Sequence, residues 1–344
     1  MSDIENDGVG PGGHKDNTPP ATYRFPRHPG PMVLWKTNQR CNFSCEYCFL
    51  PAAELSREHS HCGRYPAGHI ARRFDDTGQS WTIFMTGGEP FVYPGFLDLC
   101  QELAKNHFLA INTNLSTSNV IRFADEIDPA RVEMIIASLH ITIRERMGKV
   151  EEFLNHVRYF QDRGIRIGVE YVAYPPMFDR LDRDLRMLET NGIRMVNLKV
   201  FRGYHRSRTY PRDYTPGEKD YFRRDGFDPG ELDFIDKPFA YRGKPCRTGM
   251  DFIFMDIDGR IRRCPGSAKS YGNFLAGGYV LDRTARPCPF PRCFSPWIGR
   301  EFAGGPAMSV PATLKETIRQ AIPFALNKQR IRLTFESLRS RFLD

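Results

Sequence analysis

Cys41, Cys45 and Cys48 stand in CNFSCEYC with C-x3-C-x2-C spacing, just after the apolar run MVLW at 32–35. Three thiolates on one short loop can hold three irons of a 4Fe–4S cluster and leave the fourth iron open to a small-molecule ligand. Structural zinc sites take four ligands, typically as two C-x2-C pairs. Disulfides ask for an even count and an oxidising compartment. Nine cysteines without an export signal point instead to a reducing cytoplasm, where clustered Cys serve metal binding or catalysis. About forty residues on comes TGGEP, 86–90, a Gly-Gly turn followed by a helix-starting Glu-Pro.

CNFSCEYC and TGGEP, in this order and at this distance, resemble the radical S-adenosylmethionine (SAM) superfamily. The resemblance implies that Cys41, Cys45 and Cys48 bind a 4Fe–4S cluster whose fourth iron is chelated by the amine and carboxylate of SAM. It implies that Tyr47 packs near the adenine and that Gly87, Gly88, Glu89 and Pro90 receive the methionyl amine. Reductive cleavage of SAM, fed by an external donor such as flavodoxin or ferredoxin, would give a 5′-deoxyadenosyl radical that abstracts hydrogen from a substrate.

The elements that must position these motifs alternate along the chain. Strand-like runs lie at 32–37, 81–86, 108–114, 132–140, 165–174 and 193–201, and amphipathic helical runs at 95–106, 118–127, 149–163 and 180–191. Alternation of this kind gives a parallel sheet with right-handed crossovers, an α/β fold. Six such units match the partial (β/α)6 TIM-like barrel that the resemblance implies. Ligands of parallel α/β folds sit at the C-terminal ends of strands, where both motifs fall. The same geometry nominates Asn112 and Asn114, Ser138 and His140, Glu170 and Tyr171, and Lys199 and Arg202. The resemblance assigns Ser138 and Asn112 or Asn114 to the SAM carboxylate or ribose, and Val172 to the adenine.

A second set of thiols follows. Cys246 and Cys264 flank DFIFMDI and RIRRC around Asp258-Gly259, a strong hairpin signal that brings the two Cys together. Cys288 and Cys293 bracket a Pro-stiffened C-x4-C. Four thiolates suit a second 4Fe–4S cluster or zinc. The C-x17-C hairpin with a later Cys pair resembles the "twitch" auxiliary-cluster domain, a shortened SPASM domain found in aminocyclitol dehydrogenases, and that resemblance favours the cluster. Twitch relatives close with C-x2-C, so the C-x4-C here departs from them.

Residues 1–29 are polar and rich in Gly and Pro and read as a disordered tail. Residues 30–235 form the radical SAM barrel, 240–296 the small α+β auxiliary domain, and 297–344 a helical extension broken at Pro323. Hydrophobic residues make up 40% and charged ones 26%, ordinary for a globular chain, and no apolar run approaches the ~18 residues of a membrane span. The net charge of +8 comes from scattered Arg without a recognisable nucleic-acid module. The expectation is a cytoplasmic protein with no nucleic-acid or membrane partner. Three reactions compete. The first oxidises a small polar metabolite, possibly anionic, such as a sugar or aminocyclitol, with the auxiliary cluster as acceptor. The second is a redox-neutral epimerisation in which Cys246 or Cys62 returns a hydrogen atom. The third modifies a short ribosomal peptide, although only about 30 residues precede the first strand, against the ~50 of a leader-binding module. An electron carrier without catalysis would need neither GGEP nor a barrel.

Overall fold

The computed structural model describes residues 28, 30–48, 50, 64–224, 227, 231, 241–291, 293, 298 and 302–303. Cys62, the N-terminal tail apart from His28, and the C-terminal extension apart from Ile298, Phe302 and Ala303 fall outside the described residues. Six parallel strands, β1 (Met32–Asn38), β2 (Thr82–Gly87), β3 (Phe108–Thr113), β4 (Val132–Ser138), β5 (Ile167–Ala173) and β6 (Val196–Val200), lie in sequential order. Helices Ala67–Asp75, Phe96–Ala104, Asn119–Glu126, Val150–Asp162 and Phe178–Thr190 carry the chain back between them. The result is the expected partial barrel.

Strands β1 to β4 are largely apolar on both faces, as a parallel sheet covered on both sides requires. Val33, Trp35, Ile83, Met85, Ile111 and Val169 share one buried cluster with the helices. The alternate positions Met32, Phe84, Ala110, Met134 and Ile136 belong to a second cluster on the inner face. The helix Val150–Asp162 shows how the outer layer forms. Phe153, Leu154, Val157 and Phe160 recur at three- and four-residue spacing and are buried, Glu151 and Glu152 lie at its positive N-terminal end, and Gly164 follows with φ 70°.

The hairpin around Asp258-Gly259 is present as β7 (Phe252–Met255) and β8 (Arg260–Arg262), with Phe254 opposite Arg262. It also extends the barrel sheet. β7 pairs in parallel with β1, Met32 opposite Phe252, and β8, β9 (Ser270–Asn273) and β10 (Gly278–Tyr279) continue antiparallel beyond it. An exposed β1 edge would present unpaired N–H and C=O groups, and β7 covers them. Periodicity within either segment could not reveal a pairing between residues more than 200 apart.

Phe274 pins this extension to the outer layer. It is fully buried, with its ring 4.7 Å from Phe74, 6.0 Å from Trp81 and 4.8 Å from Tyr279. His69 Nε2 lies 2.8 Å from Leu275 O. Phe274→Ala should lower unfolding free energy by about 3–5 kcal/mol, measured by chemical denaturation. An unchanged midpoint would mean that the extension does not depend on this aromatic contact.

Candidate active site and metal centres

The loop that leaves β1 and the segment that leaves β2 pair through their backbones. Gly88 N donates to Asn38 O at 3.1 Å, Glu89 N to Arg40 O at 2.8 Å, and Asn38 Nδ2 to Glu89 O at 3.0 Å. A Cβ on Gly88 would lie 2.1 Å from Arg40 O, and one on Gly87 2.3 Å from Asn38 O. Only glycine allows this approach, so GGEP seats the cysteine loop.

The loop itself is built for thiolates. Phe43 N donates to Cys41 Sγ and Leu50 N to Cys48 Sγ, each at 3.4 Å, and Asn114 Nδ2 lies 4.0 Å from Cys41 Sγ. Donors of this kind favour the charged sulfur. Burial works the other way, pushing Cys41 up to about 11 and Cys45 to about 12, and neighbouring thiolates add to it. Three thiolates here repel one another until a multiply charged cation neutralises them, and an iron–sulfur cluster meets that demand. Among the described residues no three His, Cys, Asp or Glu side chains converge on a single metal ion. A cluster asks for something different, one thiolate for each of three separate irons.

Glu89 lies under the loop and is 1% exposed. Oε1 accepts from Phe91 N at 3.1 Å and Thr113 Oγ1 at 2.6 Å, and Oε2 from Asn114 N at 2.6 Å. Its carboxylate therefore fastens GGEP to the end of β3. Asn114 completes this support, since its Nδ2 donates to Asn42 Oδ1 at 2.9 Å.

Above the apolar layer of the inner face lies a polar one. Ser138 Oγ donates to Asn112 Oδ1 at 3.0 Å. Glu170 pairs in register with Ser138 and Asn197, and Val172 with Lys199. Lys199 Nζ contacts Glu231 Oε1 at 2.8 Å, and Glu231 Oε2 accepts from Val200 N at 3.0 Å. Burial raises the Glu170 carboxyl, while Lys199 pulls it down. Tyr47 Oη lies 3.0 Å from His140 Nδ1, a hydrogen bond, and burial lowers His140 to about 3, which keeps the imidazole neutral. His140 takes φ 46°, which turns the chain from β4 into helix Ile141–Met147.

The four C-terminal thiols line one pocket, together with Thr248, Arg263 and Phe290. Cys246 and Cys288 belong to the same apolar cluster as Met32, Phe84 and Ala110 of the inner face. Cys246 Sγ lies 3.1 Å from Thr248 Oγ1, and Arg263 donates to the carbonyls of Cys246 at 3.4 Å, Pro287 at 3.2 Å and Arg286 at 3.3 Å. Burial pushes Cys264 up to about 11, opposed by the Arg263 charge.

The model of the Radical SAM superfamily matches residues 35–188. This chain carries a radical SAM domain. It is 24% identical over 185 residues to the pre-heme d1 synthase of Dinoroseobacter shibae, covering 51% of this chain and 44% of that protein. Over 130 residues it is 32% identical to the 7-carboxy-7-deazaguanine synthase of Methanothermobacter thermautotrophicus, 37% of this chain and 51% of the other. The chain thus spans about half the length of the curated relatives it matches. Among solved structures, native anSMEcpe with bound AdoMet is similar at a TM-score of 0.51 and 12% identity, covering 72% of this chain and 79% of that one. That likeness is one of fold. The matched span of the superfamily model ends before the four-thiol pocket.

Most nominated residues of the radical SAM domain gather at one end of its sheet. Asn114 serves the cysteine loop more directly than the inner face. Tyr171 points the other way, into the helix layer, where its hydroxyl donates to Asp184 Oδ2 at 2.8 Å. Strand alternation explains this, because neighbours Glu170 and Tyr171 must face opposite sides. Cys246 sits with three other thiols, and nothing singles it out as a hydrogen donor. Thr113 and Arg144 were not foreseen. Arg144 recurs three residues after Ile141 on the buried side of its helix, a spacing that could have marked it. Helix Pro216–Tyr221, begun by a Thr215–Glu218 capping box, was also unforeseen.

Burial raises Glu89 from the ordinary 4.5 to about 7, against hydrogen bonds from Asn114, Thr113 and Phe91. Between those pH values the folded metal-free chain holds a proton that the unfolded chain has lost. Its stability is therefore fully present below about 4.5 and falls as pH rises to about 7, by up to ~1.4 kcal/mol per unit. Glu89→Gln should flatten this fall in thermal melts of the metal-free protein. An identical pH slope in the variant would contradict the buried-carboxyl assignment.

Proposed function

We propose that the chain is a radical SAM oxidoreductase that takes a hydrogen atom and then an electron from a small polar metabolite, turning a carbinol into a ketone. The observation that carries this reading is the pocket lined by Cys246, Cys264, Cys288 and Cys293, a donor set that fits a fully thiolate-ligated 4Fe–4S cluster. When bound, SAM and the two clusters supply a 5′-deoxyadenosyl radical and an acceptor for the second electron.

The chain's own residues have distinct tasks in this proposal. Cys41, Cys45 and Cys48 hold the SAM-binding cluster. The GGEP backbone orients the methionyl amine while the Glu89 carboxylate fixes that backbone to Thr113 and Asn114. The Ser138–Asn112 pair offers a hydroxyl and an amide to the SAM carboxylate or ribose, and Tyr47 and Val172 flank the adenine. Glu170 and the Lys199–Glu231 pair add polar groups at the ends of β5 and β6, suited to a polar metabolite. Support also comes from the radical SAM domain and from a fold neighbour solved with bound AdoMet. A flavodoxin or ferredoxin would deliver the reducing electron. A redox-neutral epimerisation would instead need one thiol set apart from metal, and Cys246 shares its pocket with three others.

Anaerobic reconstitution followed by metal analysis tests the assignment. The wild type should carry about eight irons per chain. Replacing Cys41, Cys45 and Cys48 together with Ala should remove about half, as should Cys→Ala at any one of the four pocket thiols. Zinc in the pocket, or full iron retention with lost turnover in the Cys246 variant, would overturn the oxidoreductase reading.

A further inference from the structure

Arg144 is fully buried beside the cysteine loop. Nε donates to Leu139 O at 2.6 Å and Nη2 to Asn114 O. Its guanidinium carbon lies 4.2 Å from the Phe153 ring centroid and 5.3 Å from that of Phe43. Nη1 has no hydrogen-bond partner among the described residues, and none of the ion pairs found among them includes Arg144. Burying a cation without a bonded counter-ion costs several kcal/mol, and two carbonyls and two rings offset only part of that. The titratable groups that face it are the carboxyls of Glu152 and Glu89, the Cys45 thiol and the Tyr47 hydroxyl. Two of these belong to the cysteine loop itself.

The connections lead to the same loop. Phe43 lies between Cys41 and Cys45 in sequence. Asn114, whose carbonyl accepts from Arg144, reaches Asn42 with its amide and approaches Cys41 Sγ. Loaded with iron, the loop carries three thiolates, and reduction adds one more negative charge. We propose that Arg144 is a positioning residue that compensates the charge of the iron–sulfur centre on Cys41, Cys45 and Cys48 and raises its reduction potential. The inference rests on the assignment of that centre to these thiols. A fixed cation in a desolvated site stabilises the more negative, reduced state, and net local charge and solvent exclusion are established levers on cluster potentials.

The test compares full-length wild type, Arg144→Gln and Arg144→Lys, each anaerobically reconstituted, by iron content and by an EPR-monitored redox titration without SAM. Arg144→Gln should retain iron but show a reduced-to-oxidised ratio about ten-fold lower at fixed potential, equivalent to ~59 mV for one electron. Arg144→Lys keeps the charge and should retain iron and titrate with the wild type. A Gln variant with full iron and an unchanged midpoint overturns the proposal. If that variant does not fold, the Lys variant decides, because a shifted midpoint with the charge retained would also overturn it. Absence of iron from the cysteine loop of the wild type would instead refute the cluster assignment, a result distinct from an unchanged midpoint.

Discussion

The backbone pairing of residues 38–40 with Gly88 and Glu89 is the contact on which the site depends. It joins the ends of β1 and β2 at a separation that excludes any side chain, with Arg40 O only 2.1 Å from where a Gly88 Cβ would stand. The cysteine loop has little regular structure of its own, so its shape is borrowed from this edge. Glu89 extends the fastening to β3 through Thr113 and Asn114, and Asn114 returns to the loop through Asn42. Three consecutive strand ends are thus tied to one loop by hydrogen bonds that bury a carboxylate.

Electrostatics explains why a buried acid, a buried guanidinium and a neutral imidazole are packed so closely. Burial shifts Glu89, Arg144 and His140 each against its charged form, so each relies on the hydrogen bonds and ring contacts around it. The inner face follows the same logic by layers. Apolar Met32, Phe84, Ala110 and Met134 line the part that adjoins the four-thiol pocket, whereas Asn112, Ser138, Glu170 and Lys199 occupy later strand positions, toward the cysteine loop. Hydrogen-bonding capacity is concentrated where a polar ligand would sit, and a low-dielectric layer lies between it and the second group of thiols.

Much of this was legible in the sequence. All six strands and four of the connecting helices lie where hydrophobic periodicity places them, because long amphipathic segments carry their signal locally. Cys41, Cys45 and Cys48 with GGEP were legible because motif spacing encodes a loop and its seat together. The hairpin at Asp258-Gly259 was equally plain. What escaped was non-local. The parallel pairing of β7 with β1 depends on which edge is open, and Glu89 turning toward Thr113 depends on where β3 ends. For Arg144 the spacing from Ile141 hints at a buried position, but its packing against Phe43 and Phe153 is set by tertiary structure. Of the nominated neighbours Glu170 and Tyr171, it is Tyr171 that faces the helix layer, because a nominated strand end does not specify which of two neighbours looks inward.

The central claim is that this loop and its seat support reductive cleavage of SAM. The most direct measurement is anaerobic incubation of the reconstituted wild-type chain with SAM and a strong reductant, followed by quantification of 5′-deoxyadenosine and methionine. Equal amounts of the two products, formed only when reductant and iron are both present, are expected. Intact SAM after incubation of a protein whose cluster is fully assembled and reduced would contradict the account.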